Sequence, residues 1–288
     1  MTEYYDALET RDPAEREAAQ LAALPKQVAL AKSAPGNADA LADVDPESIT
    51  SRDALATLPV TRKGALIERQ TPVGPQLPEE FHAYTGWVDL TLDDFINVNG
   101  DEATWRQEGD TIVCTGKPMG GARSVKEYDD FLLTVEWKHH EHAGNSGIFL
   151  WCPESAFTDL PPGTLPRTGI EVQVLDLGYE ENWERDRGAP SNWFTSHGDV
   201  FPVGEASMKA ETPQIVYQAE GGSAYTVGNP NSARSFPSKR LVKSAGEWNH
   251  YAISAVDGQV SLWVNGERVN GAEFCKPSRG YLALEAEG

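Results

Sequence analysis

One short segment with alternating polar side chains carries the most informative chemistry in this sequence. Between Gly169 and Asp176, Glu171 and Gln173 alternate with apolar residues. If this segment is a β-strand, Glu171 and Gln173 project together from one face and Asp176 stands at its end. A carboxylate and an amide held side by side can bind sugar hydroxyls, ligate a cation or move a proton. The alternative is an exposed sheet face with ordinary polar residues.

A second candidate is a loop that places an imidazole and a carboxylate two residues apart. His197 and Asp199 lie between the aromatic residues Trp193 and Phe201. Histidine titrates near neutral pH and can act as a base, an acid or a ligand. The alternative is a turn stabilised by Asp199. The His-His-Glu-His run at 139–142 lacks the His-Glu-x-x-His spacing of a helical zinc site and predicts a solvated loop.

Other classes of site are absent from the sequence. It contains no Gly-x-Ser-x-Gly nucleophile elbow and no phosphate-binding glycine loop. The three cysteines are Cys114, Cys152 and Cys275, an odd count without Cys-x-x-Cys spacing. This pattern argues against a disulfide scaffold and a structural zinc site, and it predicts buried thiols.

The charge of the chain limits its partners. The 288 residues carry a net charge of -20, of which residues 73–288 hold -16, and all 8 tryptophans follow residue 86. A strongly acidic protein is a poor binder of nucleic acid or anionic membranes, so we expect a neutral or cationic partner. No apolar run is long enough to span a membrane. The first thirty residues lack a basic start and an apolar block, so we expect no signal peptide and a cytoplasmic location.

The chain divides into a helical part and a strand-rich part. Residues 13–32 predict a helix capped by Asp12 and divided at Pro25, followed by a short helix from Ser51 and a third over residues 58–70. A Pro-rich linker at 73–85 separates the helical segment, residues 1–72, from a domain at 86–288.

The second part predicts an antiparallel β-sandwich or jelly roll without intervening helices. Alternation places Phe131, Leu133, Val135 and Trp137 on one face of a strand. Asp257-Gly258 and Asn265-Gly266 are typical of two-residue hairpin turns. Tryptophans near the polar segments, at positions 151, 183 and 193, are candidates for stacking on a pyranose ring, whereas Trp137 is expected in the core.

Six segments, in order, resemble the 3-keto-disaccharide (3-keto-glycoside) hydrolase domain family. They are Asp130-Phe-Leu-Leu-Thr-Val-Glu-Trp, Gly144-Asn-Ser-Gly-Ile-Phe-Leu-Trp, Gly169-Ile-Glu-Val-Gln-Val-Leu-Asp, Glu247-Trp-Asn-His-Tyr, Val264-Asn-Gly-Glu-Arg-Val and Gly280-Tyr-Leu-Ala-Leu-Glu-Ala-Glu-Gly. The resemblance covers residues 86–288. It implies a mainly β, concanavalin A-like jelly roll, a small-molecule or oligosaccharide substrate, frequent export from bacteria and one further strand after Gly288.

The chemistry that the resemblance implies is cleavage by elimination and hydration. A ketone at C3 acidifies the C2 hydrogen, so a carboxylate or imidazole base can expel the C1 substituent, after which water adds. A divalent cation or hydrogen-bond donors would stabilise the developing oxyanion. We infer Glu171, His197 and Asp199 as base and ligand candidates. The supporting, substrate-binding residues are Asn145, Trp151, Gln173, Asp176 and Trp193.

Two other hypotheses remain open for residues 86–288. One is a non-catalytic, lectin-like carbohydrate-binding module, and the other is a conventional glycosidase that needs two carboxyl groups across a cleft. Residues 3–70 resemble the start of phenylacetate–CoA ligases, but the adenylate loop of that family does not follow. The chain is therefore a fusion, a misjoined gene or a chimera, and we expect no ligase activity.

Overall fold

The computed structural model describes residues 11–33, 40–59, 78, 81, 84, 86–218 and 222–288. The chain divides into two compact units, Met1–Thr71 and Pro72–Gly288. No helix in the described ranges is long and apolar enough to cross a membrane.

The first unit is helical. It contains α1 (Pro13–Ser33), a 3-10 turn at Pro46–Ser48 and α2 (Arg52–Ala56). The predicted caps are confirmed, because the carboxylate of Asp12 accepts the N–H of Ala14 and the hydroxyl of Ser51 accepts the N–H of Ala54. The prediction that Pro25 divides the first helix is wrong. The helix continues through it, so the lost backbone donor is tolerated at this position. The third predicted helix lies outside the described residues from residue 60 onward.

The second unit consists of two packed antiparallel sheets and two hairpins. The strands are β1 (Phe95–Asn97), β2 (Trp105–Glu108), β3 (Thr111–Cys114), β4 (Gly120–Tyr128), β5 (Phe131–Trp137), β6 (Asn145–Cys152), β7 (Gly169–Leu175), β8 (Val200–Val203), β9 (Ser207–Ala210), β10 (Gln214–Gln218), β11 (Ala224–Gly228), β12 (Asn249–Val256), β13 (Gln259–Val264), β14 (Glu267–Lys276) and β15 (Gly280–Ala286). The six-stranded sheet has the order β1-β4-β15-β6-β7-β8, and the five-stranded sheet has the order β5-β12-β13-β14-β9. The hairpins are β2-β3 and β10-β11. This architecture confirms the predicted jelly-roll sandwich.

Alternating apolar residues on both sheets build the core between them. The six-stranded sheet contributes Ile148, Leu150 and Val172, and the five-stranded sheet contributes Ile253 and Leu262. Each side chain of this size stabilises the fold by about 1.5–3 kcal/mol when it is fully buried. The predicted inner face of β5 is also confirmed, since Trp137 is a core residue and the alternate residues before it pack against the same core.

Two tight turns set the register of the five-stranded sheet. Asp257 and Gly258 join β12 to β13 with φ values of 51° and 67°, and Asn265 and Gly266 join β13 to β14 with φ values of 49° and 91°. Positive φ at both central residues defines the hairpin turn that the right-handed twist of strands favours. Both predicted hairpins are therefore confirmed.

Two expectations about this unit fail. The sandwich contains an unpredicted helix, α3 (Leu177–Arg187), which begins after the N-cap Asp176 and ends at Gly188 with φ 73°. Its sequence is mostly polar, so it lacks the apolar periodicity that indicates a helix. Of the three cysteines, Cys152 and Cys275 are buried as expected, but Cys114 is exposed at the end of β3.

The core between the sheets can be tested by truncation. We expect Leu262→Ala to lower the free energy of unfolding by about 2–5 kcal/mol, because the fully buried side chain leaves a cavity. The matched control is Val216→Ala on the hairpin β10-β11, where the side chain is 63% exposed and the cost should stay within about 0.5 kcal/mol. Urea unfolding measures both. Equal losses would show that residue 262 does not lie in a packed core.

Candidate active site

The predicted alternation along β7 is present. Ile170, Val172 and Val174 enter the core between the sheets, while Glu171 and Gln173 lie on the opposite face of the six-stranded sheet. The alternative, an exposed sheet face, is wrong, because Glu171 is only 5% exposed. Burying an ionisable side chain costs free energy. A buried carboxyl on a rigid strand is therefore a candidate functional group.

A second glutamate faces Glu171 across one strand. β6 lies between β7 and β15, and its Gly147 is flanked by Glu171 and Glu285. One carboxylate oxygen from each side chain lies 2.7 Å from the position that a Cβ atom of Gly147 would occupy. The two oxygens are therefore separated by at most twice that distance. Glu285 is 3% exposed.

Burial changes the acidity of this pair. Loss of hydration is the main cause that raises the pKa of Glu171, and the negative charges of Glu287 and Asp199 add to it, whereas the positive charge of Arg234 opposes it. Burial, followed by the charges of Glu171 and Glu287, raises the pKa of Glu285 well above its ordinary value. Neither carboxyl accepts a hydrogen bond from the part of the chain that the structure describes. Both therefore have acceptor positions that the described residues do not use.

Amide groups extend the polar surface along β6 and β7. The side-chain amide of Asn145 donates to Glu287 at 2.7 Å and its oxygen accepts from the amide of Gln173 at 2.9 Å. Gln173 also donates to the carbonyl of Ser146 at 3.2 Å. The predicted supporting residues Asn145 and Gln173 thus lie on the same face as the Glu171–Glu285 pair, where their orientations are fixed by each other.

The positively charged guanidinium of Arg234 lies near the Glu171–Glu285 pair, on the β8 side. Arg234 donates to the buried carboxylate of Asp199 at 2.9 Å, and its guanidinium lies 3.5 Å from the ring centroid of Phe201 and 5.6 Å from that of Trp193. Phe201 is the β8 partner of Glu171. Trp193 is 50% exposed, so it can offer a ring face to a sugar as expected.

Asp199 has a different role from the one expected. Its oxygens accept hydrogen bonds from the backbone N–H and hydroxyl of Thr195 as well as from Arg234. Burial raises the pKa of Asp199, while Arg234 and Thr195 oppose that rise. Because its acceptor sites are occupied, Asp199 is not a free base. It positions Arg234.

The structure also argues against a catalytic role for His197. Its Nδ1 accepts the backbone N–H of Val242 at 3.1 Å, so the proton resides on Nε2, which is buried and has no hydrogen-bond partner in the described chain. Burial, assisted by the charge of Arg240, lowers the pKa of His197 well below its ordinary value. The ring is a neutral interior group, and the expectation of a base or ligand is wrong.

Two further site predictions are corrected. Trp151 is fully buried and its indole N–H donates to the carbonyl of Asp129 at 2.7 Å, so it packs the core and cannot stack on a ligand. Asp176 accepts the N–H groups of Ala143 and Gly178 at 2.7 and 2.9 Å. It is the N-cap of α3, and its carboxylate stabilises the helix rather than a substrate.

The donors at this site do not fit a divalent cation. Within the described ranges, no group of three or more His, Cys, Asp or Glu residues is arranged to hold a metal ion. Asp199 and His197 use their acceptors within the protein, and Arg234 places a positive charge beside Glu171. We derive no catalytic step through a metal.

A separate cavity of about 350 Å³ lies between α3 and the hairpin β10-β11. Its lining includes Glu180, whose carboxylate pairs with Arg240 and accepts the N–H of Ser196. Tyr225 and Phe194 form apolar parts of the wall. The carboxylate of Glu180 and the guanidinium of Arg240 are engaged with each other, so these two charges are less free to bind a ligand than the Glu171–Glu285 pair.

Sequence reasoning missed Glu285, Glu287 and Arg234. The first two alternate with apolar residues at the end of the chain, so the same period of two that identified Glu171 could have found them. Arg234 lies in the segment between β11 and β12, and no local pattern distinguishes it. Its role depends on the packing of that segment against Phe201.

Comparisons with known proteins place the chain in a family. Residues 85–288 match the family described as the 3-keto-alpha-glucoside-1,2-lyase-like domain. No curated protein sequence shows significant similarity to the chain.

Solved structures align with the chain at low similarity. A candidate glycosyl hydrolase from Parabacteroides distasonis aligns at 21% identity over 75% of this chain and 94% of its own, with a TM-score of 0.44. The carbohydrate-binding module CBM66 from Bacillus subtilis aligns at 12% identity over 67% and 86%, with a TM-score of 0.40. Structural similarity at such low identities and TM-scores says nothing about activity.

Because the family match covers more than half of the chain, the chain belongs to the 3-keto-alpha-glucoside-1,2-lyase-like domain family. The resemblance read from the six sequence segments is confirmed.

The role of Asp199 can be tested without a ligand. We expect Asp199→Ala to lower the free energy of unfolding by about 3–5 kcal/mol, because it leaves the partly buried Arg234 guanidinium without its carboxylate. Glu273→Ala removes an exposed ion pair with Lys209 and should cost at most about 1 kcal/mol. Urea unfolding compares them. A loss for Asp199→Ala as small as that of the control would contradict the positioning role.

Proposed function

We propose that residues 86–288 form an enzyme that cleaves 3-keto-glycosides by removing the C2 proton, eliminating the C1 substituent and adding water. The observation that carries the proposal is Glu171, a buried carboxyl with a raised pKa that accepts no hydrogen bond from any residue in the described ranges. It lies in a chain of the 3-keto-alpha-glucoside-1,2-lyase-like domain family.

The environment of Glu171 suits a base for a weakly acidic C–H bond. A carboxylate that has lost its hydration is a stronger base than one in water, and proton abstraction next to a ketone needs such a base. The nearby guanidinium of Arg234 opposes the rise in the pKa of Glu171, so the ionised form of Glu171 remains accessible. The same positive charge supports negative charge that develops on a substrate oxygen.

The surrounding groups can hold a sugar in place. Asn145 and Gln173 supply amide groups of fixed orientation, and Trp193 supplies an exposed indole beside Arg234. Amides and aromatic rings are the usual combination for orienting a neutral, hydroxyl-rich ligand. The acidic surface of the chain agrees with an uncharged substrate.

A conventional glycosidase is the second candidate, and Glu285 favours it. Retaining glycosidases hold two carboxyl groups about 5–5.5 Å apart, and an oxygen of Glu171 and an oxygen of Glu285 each lie 2.7 Å from one common point above Gly147. Such an enzyme would cleave an ordinary glucoside without a ketone. A lectin-like module would bind either sugar and convert neither.

Substrate comparison tests the proposal. We expect the protein to release the aglycone from a 3-keto-glucoside and to leave the matching unoxidised glucoside intact. Glu171→Gln should lower kcat/KM by about 100-fold or more, because the amide cannot accept the C2 proton. Glu136→Gln changes the charge equally at an exposed position on β5 and should leave the rate unchanged. Cleavage of the unoxidised glucoside would favour the glycosidase, and binding without turnover would favour the lectin.

The pH profile is a further test. Since burial raises the pKa of Glu171 above its ordinary value of 4.5, the carboxyl is protonated over more of the acidic range. We expect kcat/KM to rise with pH through a midpoint well above 4.5 as the base ionises. The measurement is kcat/KM across the pH range in which the fold is stable. A rate that is already maximal near pH 5 would contradict the assignment of Glu171 as the base.

A further inference from the structure

The arrangement of Glu171 and Glu285 is that of a proton-sharing pair. Both side chains lie over Gly147, which has no side chain to separate them, and an oxygen of each comes within 2.7 Å of the same point. Two ionised carboxylates at this separation repel each other, and burial denies them the water that would screen the repulsion. The doubly ionised state is therefore disfavoured, and the pair keeps a proton after one of its two carboxyls has ionised.

We propose that Glu171 and Glu285 work as one acid–base pair that holds a single proton, with Glu171 as the base at C2 and Glu285 as the acid that protonates the leaving glycosidic oxygen. The sharing of the proton stands on the geometry of the two carboxyls. The assignment of the two catalytic roles rests on the proposed function.

The neighbouring charges decide where the proton resides. Arg234 stabilises the ionised form of Glu171, while the charges that act on Glu285 are those of Glu171 and Glu287, which favour its protonated form. When the pair holds a single proton, Glu171 is therefore the ionised carboxylate and the proton is on Glu285. This distribution matches a base that is ready to accept and an acid that is ready to donate.

The strands packed around the pair differ in the groups that they place against it. β4 places Gly121 opposite Glu285, and β8 places Phe201 opposite Glu171. β6 contributes the thiol of Cys152, whose pKa is raised by burial and by the two glutamates, so it stays neutral. The remaining facing charges are Glu287, Asp199 and Arg234.

The proton count of the pair balances through the elimination. Glu171 takes the C2 hydrogen as a proton, and the C–H electron pair forms an enolate with negative charge on the C3 oxygen. The C3 carbonyl then re-forms, a C1=C2 double bond appears, the C1–O bond breaks, and the leaving oxygen takes the proton of Glu285. The pair begins and ends with one proton: the proton of Glu285 leaves with the glycosidic oxygen, and Glu171 now carries the proton that came from C2.

The pair is then set for hydration. The ionised Glu285 accepts a proton from water as the water oxygen adds to C1, and the resulting enolate takes a proton at C2 from Glu171. The pair returns to its starting state with its proton on Glu285. The net reaction is hydrolysis, and it needs no oxidant, reductant or external acid.

The test uses two 3-keto-glucosides that differ in the leaving group. 4-Nitrophenolate leaves without a proton, whereas methoxide requires one. We expect Glu285→Gln to lower kcat/KM for the methyl substrate by about 100-fold or more and to leave the nitrophenyl substrate within about tenfold of wild type. Glu171→Gln should reduce both, because each substrate must lose its C2 proton. An equal loss on both substrates for Glu285→Gln would overturn the acid role.

A second measurement without substrate separates the pair from the reaction. The raised pKa values mean that folding favours the protonated pair, so this contribution to stability is full at low pH and is lost as the pH rises through the folded-state pKa values. We expect the Tm of Glu285→Gln, relative to wild type, to increase between about pH 5 and pH 9. Glu136→Gln, the exposed control, should show no such pH-dependent difference.

Infrared spectra of the wild-type protein provide a test that holds even if the variants fail to fold. At neutral pH we expect the C=O band of a buried protonated carboxyl, and this band should be lost in Glu285→Gln but kept in Glu136→Gln. Absence of the band in wild type together with a flat Tm difference would overturn proton sharing. If wild type converts neither 3-keto substrate but shows the band, the pair stands, and both the proposed function and the assigned roles fail.

Discussion

The candidate site depends on the burial of one face of β7. Ile170 and Val172 are fully buried in the core, and because side chains alternate strictly along a strand, their burial fixes Glu171 on the opposite face. A shift of one residue would exchange the two faces, at a cost of several buried side chains. The same constraint acts on β6 and β15, which bring Gly147 and Glu285 to the outer face beside Glu171. The hydrophobic core therefore sets the positions of the charged groups.

Keeping these carboxyl groups away from water costs folding free energy. Glu171 and Glu285 have raised pKa values and accept no hydrogen bond from the described part of the chain, so they lower the stability of the folded state, and the sandwich core compensates for them. The neighbouring Arg234–Asp199 pair is treated differently, because the carboxylate accepts three hydrogen bonds and its charge is matched. The protein thus satisfies its structural carboxylate and leaves its candidate catalytic carboxyls unsatisfied.

Features governed by short-range patterns could be predicted from the sequence. The alternation of β7, the inner face of β5, the two hairpin turns and the caps of α1 and α2 follow from a few neighbouring residues. The errors concern long-range packing. Nothing local to Trp151 shows that its indole N–H would reach the carbonyl of Asp129, and nothing local to His197 shows that its ring would accept the N–H of Val242.

The order of strands in the six-stranded sheet has a consequence for how the domain folds. β15 is the last strand in the sequence, yet it lies between β4 and β6 in the middle of the sheet. Its neighbours are far from it along the chain, and such non-local pairings form slowly because a large loop must close first. The five-stranded sheet, in contrast, contains the consecutive meander β12-β13-β14. During synthesis, Glu285 therefore reaches its place only after β4, β6 and β7 have left the ribosome, so the nascent domain holds Glu171 before it acquires the second member of the acidic pair.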